Sequence, residues 1–133
     1  MCRILLSCTV TIVPVFAMAT DFSSPDCANA MTQYAMNECA ATQLKVADAR
    51  LNDVYAQLMG KMSDAKQKGL LRDAERAWIS YRDKECEFAT VGTVGGSVHP
   101  MMLSLCLAEK TAARTAELHR QLACEEGDLS CAR

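Results

Sequence analysis

Eight cysteines are present, yet no two stand in a Cys-x-x-Cys pair, which removes the spacing of a zinc site or a thioredoxin-like redox centre. Basic charge is not in excess either. Fourteen Lys and Arg against sixteen Asp and Glu leave a net of −2, whereas nucleic-acid binding wants a basic stripe. Histidine is limited to His99 and His119, with no carboxylate pattern nearby suited to metal, and each reads as a surface or packing residue. Aromatics are scarce, one Trp, three Tyr and three Phe, so the segment that holds Trp78 and Tyr81 carries most of the aromatic area open to a core. No internal repeat, low-complexity tract or complete catalytic signature occurs. An acid pair of the glycosidase kind needs a cleft that sets the spacing of its carboxylates and parts their pKa values. A small helical domain offers little cleft, so the chain reads as a non-enzyme that needs no cofactor or metal.

The N-terminus holds a long apolar run, Ile4 to Phe16, too short for a comfortable transmembrane helix and interrupted by Pro14. With Met1-Cys2-Arg3 ahead of it and Ala17-Met18-Ala19 behind, it reads as a secretory signal peptide cut before Thr20. A lipobox-like Leu5-Leu6-Ser7-Cys8 lies too close to Met1 to leave an apolar region ahead of it, which disfavours Cys8 as a lipid anchor. Export to the periplasm or the medium follows. It leaves 13 basic against 16 acidic residues, a net of −3, compatible with a basic partner and equally with plain solubility. Six cysteines remain, Cys27, Cys39, Cys86, Cys106, Cys124 and Cys131, and an even number in a small exported domain implies disulfides.

Past residues 1–19, the signal, and 20–31, a polar lead-in, the pattern predicts one helical domain over 32–122 and a tail over 123–133. Its three helices are expected at about 32–62, 65–90 and 98–122, an up-down-up antiparallel all-α bundle. Thr32 serves as the first N-cap, Ser63-Asp64 as the second and Ser97 as the third, with Pro100 tolerated in the last helix's first turn. Ala40, Leu44, Ala47, Leu51, Val54 and Leu58 alternate four- and three-residue steps and form a core stripe. Leu71, Ala74, Trp78, Tyr81 and Phe88 do the same in the second helix, which places Trp78 and Tyr81 at the centre of the core. Leu103, Leu107, Thr111, Leu118 and Leu122 make the third stripe, interrupted by Arg114. Three glycines in Val91–Gly96 mark a loop.

Among the charges, Arg82 and Arg114 lie near the apolar stripes, where a guanidinium needs a carboxylate. An internal network with Asp48 and Asp83 that fixes helix register accounts for them better than direct contact with a partner. Gly95-Gly96-Ser97 reads as a turn and cap rather than an anion site. Met59, Met62, Met101 and Met102 read as adaptable core filler rather than a groove lining.

Three stretches together resemble the LprI-like lysozyme-inhibitor family. They are Met36–Ala40 with Ala47–Asn52 and Tyr55; Arg76–Asp83 with Cys86; and Gly95-Gly96-Ser97, Cys106-Leu107, Thr111, Arg114 and Leu118. Asp48, Leu51, Asn52, Tyr55, Trp78, Tyr81, Arg82, Asp83 and Arg114 are its core and motif positions here. Where such families usually show Gln before Arg-Ala-Trp, this chain has Glu75. The likeness runs from Cys27 to Leu122 and implies an exported helical domain that inhibits lysozyme by binding, with no catalytic residues to carry over. Bundle geometry alone permits several cysteine pairings; the family's sequential pairs imply Cys27–Cys39, Cys86–Cys106 and Cys124–Cys131. An acidic contact through Glu85 and Glu87 is the expectation for a basic lysozyme. An envelope protein of another role, such as an immunity protein for an exported toxin, is the alternative.

Overall fold

The computed structural model describes Cys27, residues 29–125, residues 127–129 and Cys131. The expected signal peptide, its cleavage after Ala19 and the lead-in up to Asp26 lie outside the described residues. Three helices account for most of the domain: α1 (Gln33–Lys61), α2 (Ala65–Ala89) and α3 (His99–Leu122), with a short 3-10 turn over Val91–Thr93. Each lies within a residue of its expected bounds. Among the described residues there is no strand.

Local chemistry sets these limits. Thr32 Oγ1 accepts from the Ala35 amide at 3.1 Å, and Asp64 Oδ1 from the Lys66 amide at 3.0 Å, each satisfying a free donor at a helix start. Met62, in extended conformation, ends α1 and leaves a three-residue link to α2. Ser97 does not cap α3. The cap is Val98, without a side-chain bond, and the Ser97 carbonyl instead accepts from Asn37 Nδ2 at 3.0 Å, tying the starts of α3 and α1 together. Gly95 takes φ 83°, a conformation that favours glycine, in the turn before α3.

The chain direction follows from which residues meet. Asn37 reaches Ser97, Asp48 approaches Thr111, and Lys61 Nζ donates to the Leu122 carbonyl at 3.0 Å, so α1 and α3 run the same way. Cys86 joins Cys106 and Glu75 meets Arg114, so α2 runs against both. α1 and α3 approach closely because Ala40, Ala47, Ala108 and Thr111, all small, are buried between them. α2 stands further off, since it reaches the bundle with Glu75, Trp78 and Arg82. The apolar core fills the end away from the N-terminus: Leu51, Val54, Leu58, Met62 and Leu118, with Tyr55, Leu71, Trp78 and Leu122 against them.

The expected α1 stripe is the buried one, with Leu44 half-covered. The α2 stripe is corrected. Trp78 is half-buried on the core, but Tyr81 is 56% and Phe88 76% exposed, and Ala74 is exposed too. Glu75 and Cys86 are the buried residues of α2, on the face that also carries Trp78 and Arg82. The helix is turned to serve the bridge and the ion pairs rather than the aromatics.

Cysteine partners are sequential: Cys27–Cys39, Cys86–Cys106 and Cys124–Cys131, with Cα separations of 5.6, 5.7 and 5.8 Å. Cys27 reaches Cys39 because the chain turns ahead of α1, with the Ala30 amide bonded to the Cys27 carbonyl. Cys86 is fully buried and its bridge spans 20 residues. Replacing Cys86 and Cys106 together by Ala should lower stability by roughly 2–4 kcal/mol in urea unfolding. Loss of Cys124–Cys131, which closes seven residues beyond α3, should cost clearly less. Equal losses would refute this ranking.

Candidate functional site

The charged residues singled out in the sequence gather in one place, on the bundle side of α2. Spacings of three and four residues put Glu75, Trp78 and Arg82 on one face of that helix. Arg82 has only 14% of its side chain exposed and touches all three helices. Its Nη1 donates to Asp48 Oδ1 of α1 at 3.1 Å and to Thr111 Oγ1 of α3 at 3.0 Å, and its Nε to neighbouring Asp83 Oδ1 at 2.9 Å. Thr111, wholly buried, lies 3.4 Å from the same Asp48 oxygen. A guanidinium in this position is held by two carboxylates and a hydroxyl, which meets its need for partners away from water.

Arg114 forms the second half. It pairs with Glu75 and Glu117 rather than with Asp48. Nε donates to Glu75 Oε1 at 2.8 Å, Nη2 reaches the same oxygen, and Nη1 donates to Glu117 Oε2 at 2.8 Å. Burial alone pushes the Arg114 guanidinium down, but the hydrogen bonds and charges of Glu75 and Glu117 outweigh it and hold the group above its ordinary value. Both guanidiniums lie over Trp78, Arg82 at 5.3 Å and Arg114 at 6.0 Å from the ring, so the tryptophan joins the two halves through cation–π contact.

Glu75 is the residue that sequence reasoning noted only as a departure from the family's Gln. Buried and salt-bridged, it supplies the anion that Arg114 requires. Its position three before Trp78 and seven before Arg82 was the available signal. Of the other motif residues, Leu51 is in the core, Tyr55 packs beside it, Asn52 is exposed and Tyr81 faces solvent. Glu85 and Glu87 do not form one patch. Two helical residues are turned about 200° apart; Glu85 sits 3.9 Å from Lys110 of α3, while Glu87, 64% exposed at its side chain, sits 3.5 Å from Lys84. Met62 is core filler as expected, Met59 and Met101 are half-buried, and Met102 is exposed.

The arrangement does not resemble a catalytic centre. Asp48, Asp83, Glu75 and Glu117 are each committed to a guanidinium. The sulfurs beside Asp128 are spent on the Cys124–Cys131 bridge and are not thiolate ligands. A groove of about 490 Å³ runs between the start of α2 and the end of α3, lined among others by Leu58, Met62, Leu70, Leu71, Leu118 and Arg120. It exists because α2 stands off from the other two helices. Among the described residues no helix is long and apolar enough to cross a membrane, and three disulfides are the mark of an oxidising compartment.

Residues 24–118 match the family model described as lysozyme inhibitor LprI. This chain belongs to the LprI family. Similar to it is an uncharacterised protein of Rhizobium meliloti (strain 1021), 43% identical over 106 residues, which cover 71% of this chain and 76% of that one. The uncharacterised protein YecT of Escherichia coli (strain K12) is 32% identical over 62 residues, 39% of this chain and 38% of its own. No solved structure matches the chain. The LprI match takes in the whole charged assembly, from Asp48 through Arg82 to Glu117.

Proposed function

We propose that this is an exported, non-catalytic binding protein that inhibits a lysozyme-type peptidoglycan hydrolase by covering its cleft. Membership of the LprI family over residues 24–118 carries the reading. The geometry supports a binding rather than a chemical role, because the motif's charges are used up inside the bundle, where they fix the three helices to one another. Binding then falls to the surface. Its net negative charge suits a basic enzyme, and it acts from the periplasm or the medium, where its disulfides persist.

Adding the oxidised protein, from Thr20 onward, to a lysozyme lysis assay should slow lysis in proportion to the complex formed. A saturating amount that leaves the rate unchanged, with no heat of binding in calorimetry, removes lysozyme as the partner. It would leave another exported protein, such as a toxin, in its place. Where inhibition occurs, Glu87→Lys should weaken binding, and more so at low salt, where surface attraction is least screened. Glu85→Lys should act less, because Glu85 already shares its charge with Lys110. A loss independent of salt would exclude an electrostatic contact at Glu87.

A further inference from the structure

Two stretches that meet at one end of the bundle carry no charge. From Phe88 to Ala108, 21 successive residues include no Asp, Glu, Lys or Arg, and neither does Cys27–Asn37, in a chain whose residues are 23% charged. The fold puts these two stretches side by side. Asn37 bonds to the Ser97 carbonyl, and Gln33 Nε2 lies 3.9 Å from Met101 Sδ. This end shows several large apolar side chains to solvent: Met31 at 88% exposure, Tyr34 at 75%, Phe88 at 76%, Val91 at 64% and Val94 at 66%, with Met102 and Leu105 less open. The opposite end, around the α1–α2 link, exposes Lys61, Asp64, Lys66, Arg72 and Asp73 instead.

The apolar end is also held in shape. The Cys86–Cys106 bridge closes the base of the α2–α3 connection. Within it, Thr90 Oγ1 donates to the Cys86 carbonyl at 2.7 Å. Thr93 Oγ1 donates to the Thr90 carbonyl at 2.7 Å and lies 2.8 Å from His99 Nδ1. A surface fixed in advance loses less freedom when it is covered.

We propose that this apolar end is the interface of a homodimer, two copies meeting end to end about a twofold axis. An isologous contact sets a surface against itself, so a charge near the axis meets its own like. Two stretches without charges can meet their own copies with no like-charge repulsion between them. The exposed side chains named above amount to roughly 700 Å², scaled from the ~150–250 Å² of an aromatic. That is close to the ~800 Å² per partner of a stable interface. The inference stands apart from lysozyme inhibition.

Sedimentation equilibrium of the oxidised protein should show the mass rising toward twice the monomer's across the micromolar range. Phe88→Glu and Val94→Glu, both at solvent-facing positions, should keep the helical far-ultraviolet spectrum and weaken association at least tenfold. A wild type that stays monomeric at every concentration, or glutamate variants that associate as the wild type does, overturns the proposal. So does a monomeric wild type that binds neutral phosphatidylcholine vesicles through Phe88 and Val94, which would assign this end to lipid.

Discussion

Arg114→Met should cost about 3–5 kcal/mol, because it leaves the Glu75 carboxylate buried without its cation. The methionine keeps much of the arginine's apolar stem, so the loss reports the charge and not the volume. Glu75→Gln should cost less, about 1–2 kcal/mol, since its amide oxygen still accepts from Arg114 Nε while the charge of Glu117 remains nearby. Replacing both partners, Glu75→Leu with Arg114→Met, should recover most of the stability lost in Arg114→Met alone, since no unpaired charge is left in the bundle. Urea unfolding followed by circular dichroism reads all three. If Arg114→Met and the double variant are equally unstable, the pair is not what Arg114 contributes, and its stacking on Trp78 is.

The ordering of these variants bears on what a residue pattern can reveal. Helix positions were legible because they depend on local chemistry: Thr32 and Asp64 cap as their side chains require, and Gly92, Gly95 and Gly96 interrupt between α2 and α3. The α1 stripe was legible because apolar spacing and burial coincide there. The rotation of α2 was not. Periodicity credits Tyr81 and Phe88 for their aromatic area, but the face actually used is set by partners far away in the chain, Cys106, Thr111 and Arg114. Arg82 was correctly read as needing Asp48, whereas Arg114 found Glu75, since only the crossing of α2 over α3 decides which carboxylate lies within reach. Ser97 looked like a cap and serves through its carbonyl, a role no side-chain preference encodes.

The rotation of α2 yields the second large effect. Trp78→Ala should destabilise the domain by about 3–5 kcal/mol, the range for removing an aromatic that packs on a core. The ring does two things at once. It packs on the Leu51–Leu118 cluster, and Arg82 and Arg114 lie over the ring, contacts worth roughly 0.5–2 kcal/mol each depending on how far water is excluded. Its loss therefore loosens the core and the charged layer together, which argues for the upper half of the range. Tyr81→Ala, and Phe88→Ala at concentrations where the chain is monomeric, should stay within about 0.5 kcal/mol of the wild type, as substitutions at exposed sites do. Far-ultraviolet circular dichroism in urea measures all three without relying on the only tryptophan as the probe. Should Tyr81→Ala prove as damaging as Trp78→Ala, α2 presents its aromatic stripe to the bundle after all. Glu75 and Arg82 would then have to face water, and the ion pairs that tie α2 to α1 and α3 would be lost.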